Sequence, residues 1–184
     1  RRRFWGVAFE DLRNPWLQLD AYYLGLNDLP GNRSYRTYGL RVHRKPLPGQ
    51  LDYEGEVAAQ LGERKTVAQG IRDQLAWMAH AELGYTFAAA WSPRLVAQLD
   101  YASGSDDPSD DDSHTFDPLF GARRFDLMPT GIFGAFRRSN LISPGVRLGL
   151  QPAKTVRLDV KVRYWMLDEA RDVRTQRAIP ILFD

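Results

Sequence analysis

The sequence predicts an all-β protein, an antiparallel up-and-down transmembrane β-barrel with about eight strands in this chain. Two observations carry that expectation. Residues 155–166, T-V-R-L-D-V-K-V-R-Y-W-M, alternate without a break: Val156, Leu158, Val160, Val162, Tyr164 and Met166 share one face of a strand, and Arg157, Asp159, Lys161, Arg163 and Trp165 the other. A helix would scatter these charges around its circumference, and a dry core would impose a severe desolvation cost on each. One face therefore meets an apolar medium and the other meets water. The second observation is the rhythm of the connections, which run short, long, short, long, short, long and short along the chain. Up-and-down strands put alternate connections at opposite ends, so this rhythm gives one neat end and one elaborate end, as in barrels that cross the outer membrane.

The elements follow in order. Phe4 to Phe9 opens the series with Trp5, Val7 and Phe9 on one face, and E-D-L-R-N-P breaks it. Leu17, Leu19, Ala21 and Tyr23 then alternate with Gln18, Asp20 and Tyr22, and N-D-L-P-G-N-R-S at 27–34 reads as a longer connection. Tyr38, Leu40 and Val42 alternate with Thr37, Gly39, Arg41 and His43 before the compact turn K-P-L-P-G-Q. Tyr53, Gly55, Val57, Ala59 and Leu61 oppose Glu54, Glu56, Ala58 and Gln60; the polar stretch 62–73 reads as a second long connection, and 67–79 admits a partly helical reading. Ala79, Ala81, Leu83, Tyr85 and Phe87 oppose Met78, His80, Glu82 and Gly84, and a short W-S-P leads to Leu95, Ala97, Leu99 and Tyr101. Residues 103–138 form the third long connection, with the acidic run D-D-P-S-D-D-D and later R-R-F-D and A-F-R-R; a loop of that length calls for a functional or architectural role. Val146, Leu148 and Leu150 against Arg147 and Gly149 lead into the stretch at 155–166, and a polar tail follows from Asp168. Trp16, Tyr23, Tyr53, Tyr85, Tyr101, Tyr164 and Trp165 fall near the predicted strand ends, where interfacial girdles of aromatic residues lie in membrane barrels.

Composition narrows the choice of class. Of the 184 residues 43% are hydrophobic and 26% charged, the mean hydropathy is −0.44, and no stretch approaches the ~18 apolar residues of a membrane helix. That excludes helical spans only, because a barrel hides its apolar band in alternation. With 25 basic against 23 acidic side chains, the charge is too balanced to argue for nucleic acid as a partner. The absence of cysteine removes disulfides and thiolate metal sites. Arg1, Arg2 and Arg3 are not followed by the apolar run of a signal peptide, so the chain is either cytoplasmic or a mature or cut piece, and it reads as a single barrel region over 1–184.

Four landmarks occur in order in the C-terminal half: Y-A-S-G-S-D-D-P (101–108), T-F-D-P-L-F (115–120), S-N-L-I (139–142) and L-G-L-Q-P-A-K (148–154). With these the chain resembles the alginate-export family of bacterial outer-membrane β-barrels; the N-terminal half shares only the hairpin rhythm. The resemblance implies a monomeric barrel of many more strands, set in the lipid bilayer of the outer membrane, whose charged lumen passes an anionic polysaccharide. It also implies periplasmic export components as partners, no cofactor and no enzymatic step. By that standard the chain is a fragment, lacking a signal peptide and enough strands and ending at I-L-F-D, and residues 122–136 depart from the family's pattern.

The polar strand faces gather Asp20, Arg41, His43, Glu54, Glu56, His80, Glu82, Asp100, Arg147, Arg157, Asp159, Lys161 and Arg163. If the apolar faces look at lipid, these line a wet lumen, and Arg41, Arg147, Arg157, Lys161 and Arg163 attract uronate carboxylates. For any one residue the competing role is pairing with an opposite charge on a neighbouring strand. The last two strands carry four cations and one anion, an excess that pairing within that hairpin leaves unmet. Glu54 and Glu56 share a face, as the carboxylates of a glycosidase would, but such pairs are common on wet strands. Asp106, Asp107, Asp110, Asp111 and Asp112 lack the glycine and terminal glutamate of an EF-hand, so they read as a solvated acidic loop and no metal site is expected. Ser113, His114 and Asp117 crowd one loop where nothing fixes a catalytic geometry, and His43 and His80 lack a partner histidine at ligand spacing. The second functional reading is a soluble antiparallel barrel that binds a small ligand, with the apolar parity turned inward. The direction taken by Leu158, Val160 and Val162 separates the two.

Overall fold

The computed structural model describes residues 1–11, 14, 16–66, 70–106, 112–119 and 138–172. Nine strands form one sheet: β1 (Arg2–Asp11), β2 (Gln18–Asp28), β3 (Arg33–Arg44), β4 (Gln50–Thr66), β5 (Gly70–Thr86), β6 (Arg94–Ala102), β7 (Asp112–Ser113), β8 (Leu141–Ala153) and β9 (Val156–Arg163). The eight large strands lie side by side in chain order and pair antiparallel throughout, while the two-residue β7 pairs parallel with β5 above the end of β6. The sheet is open, with β1 and β9 as its edges. No helix occurs among the described residues.

Each predicted strand is present, and the register joins the predicted faces. Val42 stands opposite Gly55, Leu40 opposite Val57, Val57 opposite Ala79, Leu95 opposite Tyr85 and Leu148 opposite Val160, so the apolar positions share one surface. That surface is the exposed one. On the central strands Val57 is 54%, Leu83 57% and Leu95 52% exposed, whereas Gln60 and Asp100 are at 0% and His80 at 2%. Leu158, Val160 and Val162 lie on the same outward surface.

The connections differ from the expectation. The polar stretch 62–73 is largely strand: β4 and β5 each run 17 residues, Gly62 to Lys65 pair with Gln74 to Ile71, and only 67–69 join them. The partly helical reading of 67–79 is overturned with it, since β5 begins at Gly70. β5 runs on past the end of β6, while β4 stays paired with β3 as far as Arg64; the polar residues Glu63, Lys65 and Asp73 on the outward parity leave this stretch without alternation to read. Residues 27–34 likewise contribute the ends of two strands and a turn over 29–32, in which Asp28 Oδ1 accepts from the Gly31 N–H at 3.2 Å and Asn32 takes a positive φ of 52°. Only the connection between β6 and β8 is long. Long and short connections therefore do not alternate. The asymmetry between the two ends comes from the extension of β5 past β6 and that single connection, which sit at the same end.

The aromatic positions divide in a similar way. At the end holding the turns, Tyr53 Oη donates to the Trp16 carbonyl at 2.7 Å, the Arg44 guanidinium lies 3.9 Å from the Trp16 ring centroid, and Tyr85 meets Phe87 edge-on at 4.9 Å. Tyr23 is not at a strand end; it stands mid-strand between Val7 and Tyr38. Trp165 packs against the inner apolar cluster, away from any girdle.

Ala58, Ala76, Met78, Ala102 and Leu141 form that cluster on the inner face, with Phe116 from the long connection inserted among them and Tyr22 at its side. Four of the five sheet positions are small or flexible, which leaves room for one large ring supplied from elsewhere in the chain. Gly39 faces Tyr22 across the β2–β3 pair, and a Cβ at that glycine would run into the phenol ring, so the absence of a side chain lets Tyr22 lie across β3. Replacing Phe116 by Ala removes the ring that fills the space between the small sheet residues. The expected result is a loss of about 3 kcal/mol in the seating of 112–117, measured as faster amide exchange there while β4 and β5 keep their protection.

Candidate functional site: the charged inner face

Antiparallel pairing turns isolated polar positions into continuous rows. One row crosses the sheet as Asp20, Arg41, Glu56, His80, Asp100 and Ser143, each directly opposite the next. The adjoining row runs Gln18, His43, Glu54, Glu82, Gln98, Gly145 and Arg163. The predicted lumen residues of β2 to β6 are thus brought together at mid-height on one surface.

Their charges are paired. Arg41 bridges Asp20 at 3.2 Å and Glu54 at 3.1 Å, and His43 Nε2 lies 3.3 Å from Asp20. Asp100 is the most enclosed of the acids: one carboxylate oxygen meets His80 Nδ1 at 2.8 Å and Arg138 at 2.5 Å, and the other meets Arg163 at 2.7 Å. Glu54 and Glu82 stand directly opposite each other, a like-charge pair that is destabilising when left alone. Here Arg41 holds Glu54, Arg147 holds Glu82 at 3.0 Å, and His80 Nε2 lies between the two carboxylates at 4.0 and 3.6 Å. Glu56 accepts from Tyr22 Oη at 2.7 Å. The cation excess on the last two strands is met from outside that hairpin, Arg147 by Glu82 of β5 and Arg163 by Asp100 of β6. Arg157 pairs with Asp159 at 2.8 Å where both remain well exposed, and Lys161 stands opposite Arg147.

Residues 112–117 of the long connection lie against this face. Gln60 donates to the Asp117 carbonyl at 3.0 Å and accepts from the Asp117 N–H at 3.1 Å, while Gln74 donates to the Thr115 carbonyl at 2.8 Å. The segment after β9 ties the same connection from its other side. Asp168 accepts from the Gly104 N–H and from Tyr101 Oη, both at 2.9 Å, and the buried Asp172 accepts from Thr115 Oγ1 at 2.6 Å.

Other candidates do not assemble. His114 Nδ1 is engaged with the Leu75 carbonyl and Asp117 with Arg33, so Ser113, His114 and Asp117 form no relay. Among the described residues no group of three potential metal ligands is found. Asp107, Asp110, Asp111, the segment 122–136 and the tail beyond 172 lie outside the described residues.

Several inner-face residues escaped the sequence reading. Arg94 pairs with Asp52, and Arg138 reaches Asp100 from the far end of the long connection. Arg33, Arg64 and Arg72 sit in stretches read as connections, where no alternation marks a face. Only the cross-strand register could have found them.

These pairings predict a graded cost of mutation. Asp100→Asn leaves Arg138 and Arg163 facing a neutral amide in a closed setting and should cost about 3 kcal/mol, whereas Asp159→Asn on the open edge should cost less than about 1 kcal/mol; urea midpoints of the two variants check the order.

Comparison with curated proteins and with solved structures gives no significant match. The family model described as alginate export matches residues 1–184, carrying the resemblance of the C-terminal half through the N-terminal hairpins as well. An all-β antiparallel sheet with its charged face inward and its apolar face outward accords with that match, and the chain belongs to the alginate-export family.

Proposed function

We propose that this chain forms part of an outer-membrane channel through which an anionic polysaccharide such as alginate passes, with the charged inner face as the lumen and the apolar face toward lipid. The observation that carries the reading is the inversion of the faces: Val57, Leu83 and Leu95 outward, Gln60, His80 and Asp100 inward. A soluble barrel binding a small ligand needs the opposite parity, because so much apolar surface in water would drive association. Family membership supports transport in place of catalysis.

The lumen would work by exchange. Arg41, Arg147, Arg157 and Arg163 each hold a carboxylate of the chain itself, and a uronate carboxylate has the same geometry for a guanidinium. Substitution of one carboxylate for another offers attraction without a deep well, which a conduit requires if its cargo is to leave. Lys161 adds a compact, exposed charge on the same face. Glu54, Glu82, Asp100 and Asp159 hold the cations in place, and Glu56, bonded to Tyr22, adds a further negative charge that limits the net positive field. Periplasmic export components would deliver the polymer at one end.

Two experiments test this. The protein should fractionate with outer membranes, and its conductance in planar bilayers should fall on addition of polyuronate but not of a neutral polysaccharide; conductance indifferent to polyuronate contradicts the substrate. Val57→Arg, at the centre of the outward face, should cost about 2–4 kcal/mol in bilayer folding assays, whereas in a water-facing protein the same change at an exposed position falls within about 0.5 kcal/mol.

A further inference from the structure

At mid-height the outward surface is apolar but uneven. Gly55 of β4 and Ala79 and Ala81 of β5 floor a groove of about 340 Å³, two strands wide, between Val42 of β3 and Leu99 of β6. Tyr101 lines it beside Ala79, and its ring centroid lies 4.2 Å from that of the half-exposed Trp77, so an aromatic pair bounds the end nearer the long connection. The backbone does not call for glycine at position 55. It lies outside the left-handed region, and a Cβ built there would stand 3.5 Å from Val42 Cγ2, an ordinary contact. Glycine weakens a strand interior. What the missing side chain leaves is the open groove.

One outward position nearer the turns, about 7 Å along the strands, the surface changes character. Arg44 stands opposite Tyr53 and Tyr53 opposite Leu83, in the row adjoining that of Val42, Gly55 and Ala81. The Arg44 guanidinium lies 3.9 Å from the Trp16 ring centroid, Tyr53 Oη donates to the Trp16 carbonyl at 2.7 Å, and Lys45 follows, exposed, in the turn. The Trp16 ring and the Gln50 side-chain oxygen that hold Arg44 are neutral, so neither cancels its charge. Basic side chains beside amphipathic rings suit the headgroup level of a bilayer.

We infer that this column is a phospholipid site, with an anionic headgroup on Arg44 and Lys45 and acyl chain in the groove floored by Gly55, Ala79 and Ala81. The inference rests on the lipid-facing part of the channel reading and adds to it one lipid held in preference to its neighbours. Charge complementarity selects the occupant. An apolar protein partner would use the groove alone, whereas a phospholipid joins a phosphate to an acyl chain and so uses both rows at once.

The test uses the intact channel in phosphatidylcholine vesicles holding a small share of phosphatidylglycerol that carries a diazirine midway along one acyl chain, with labelled positions read by mass spectrometry after illumination. Label should concentrate at Gly55 and residues 79–81. Arg44→Gln should lower it there about fivefold, the effect of one basic charge near the headgroups, and Arg44→Lys should keep most of it. Gly55→Leu fills the groove without backbone strain and should displace the label from 79–81. Phosphatidylcholine carrying the same diazirine should label the groove less and be indifferent to Arg44→Gln. Label spread evenly over the outward surface, or unchanged in Arg44→Gln and Gly55→Leu, overturns the site. Label at inner-face positions such as Gln60 in place of the outward ones would instead overturn the lipid-facing reading on which the site rests.

Discussion

A slip of one residue between any two central strands would turn Gln60, Gln74, His80 and Asp100 outward and bring Val57, Leu75 and Leu83 inward. Register is the constraint on which the rest depends. It lines up apolar side chains into one continuous outer surface and charged side chains into rows whose opposite charges come from neighbouring strands, as Arg41 to Glu54, or from strands further along the sheet, as Arg147 to Glu82 and Arg163 to Asp100. Asp100 illustrates the dependence: its three partners come from β5, β9 and the long connection, so its burial is tolerable only when all of these are in place.

The inner face is also where the long connection finds its place. Phe116 fills a gap that alanines leave, and Gln60 and Gln74 satisfy backbone groups that an inserted loop would otherwise bury unpaired. Asp168 and Asp172 do the same from the segment after β9. Elements distant in sequence therefore meet on one face of the sheet.

The strands were legible where one face meets water and the other does not. Strict alternation in 155–166, 53–61 and 79–87 gave the correct parity for β9, β4 and β5, and the landmarks after Tyr101 pointed to the family that the whole chain matches. Alternation fails where polar residues occupy both parities. Glu63 and Arg64 of β4 and Arg72 and Asp73 of β5 do so, which hides Arg64 and Arg72 in a stretch that reads as a loop. Connection lengths misled for the same reason, since turn-like residues such as Asn27 and Asp28 complete β2 before the short turn at 29–32. The charge excess on the last hairpin was counted correctly in the sequence, but its partners, Glu82 and Asp100, lie on strands that only the sheet brings near.

The central claim is that the apolar face meets lipid. The chain contains no cysteine, so single cysteines at Val57 and Leu83 on the outer face, and at Gln60 on the inner face, can each carry a nitroxide in reconstituted vesicles. Collision with oxygen, which partitions into lipid, and with a polar nickel complex, which stays in water, reads the surroundings of each label. The account predicts strong oxygen and weak nickel collision at 57 and 83, and an oxygen-to-nickel ratio at 60 that is clearly lower. Equal nickel access at 57 and 83, or the reverse order of the two faces, would contradict it.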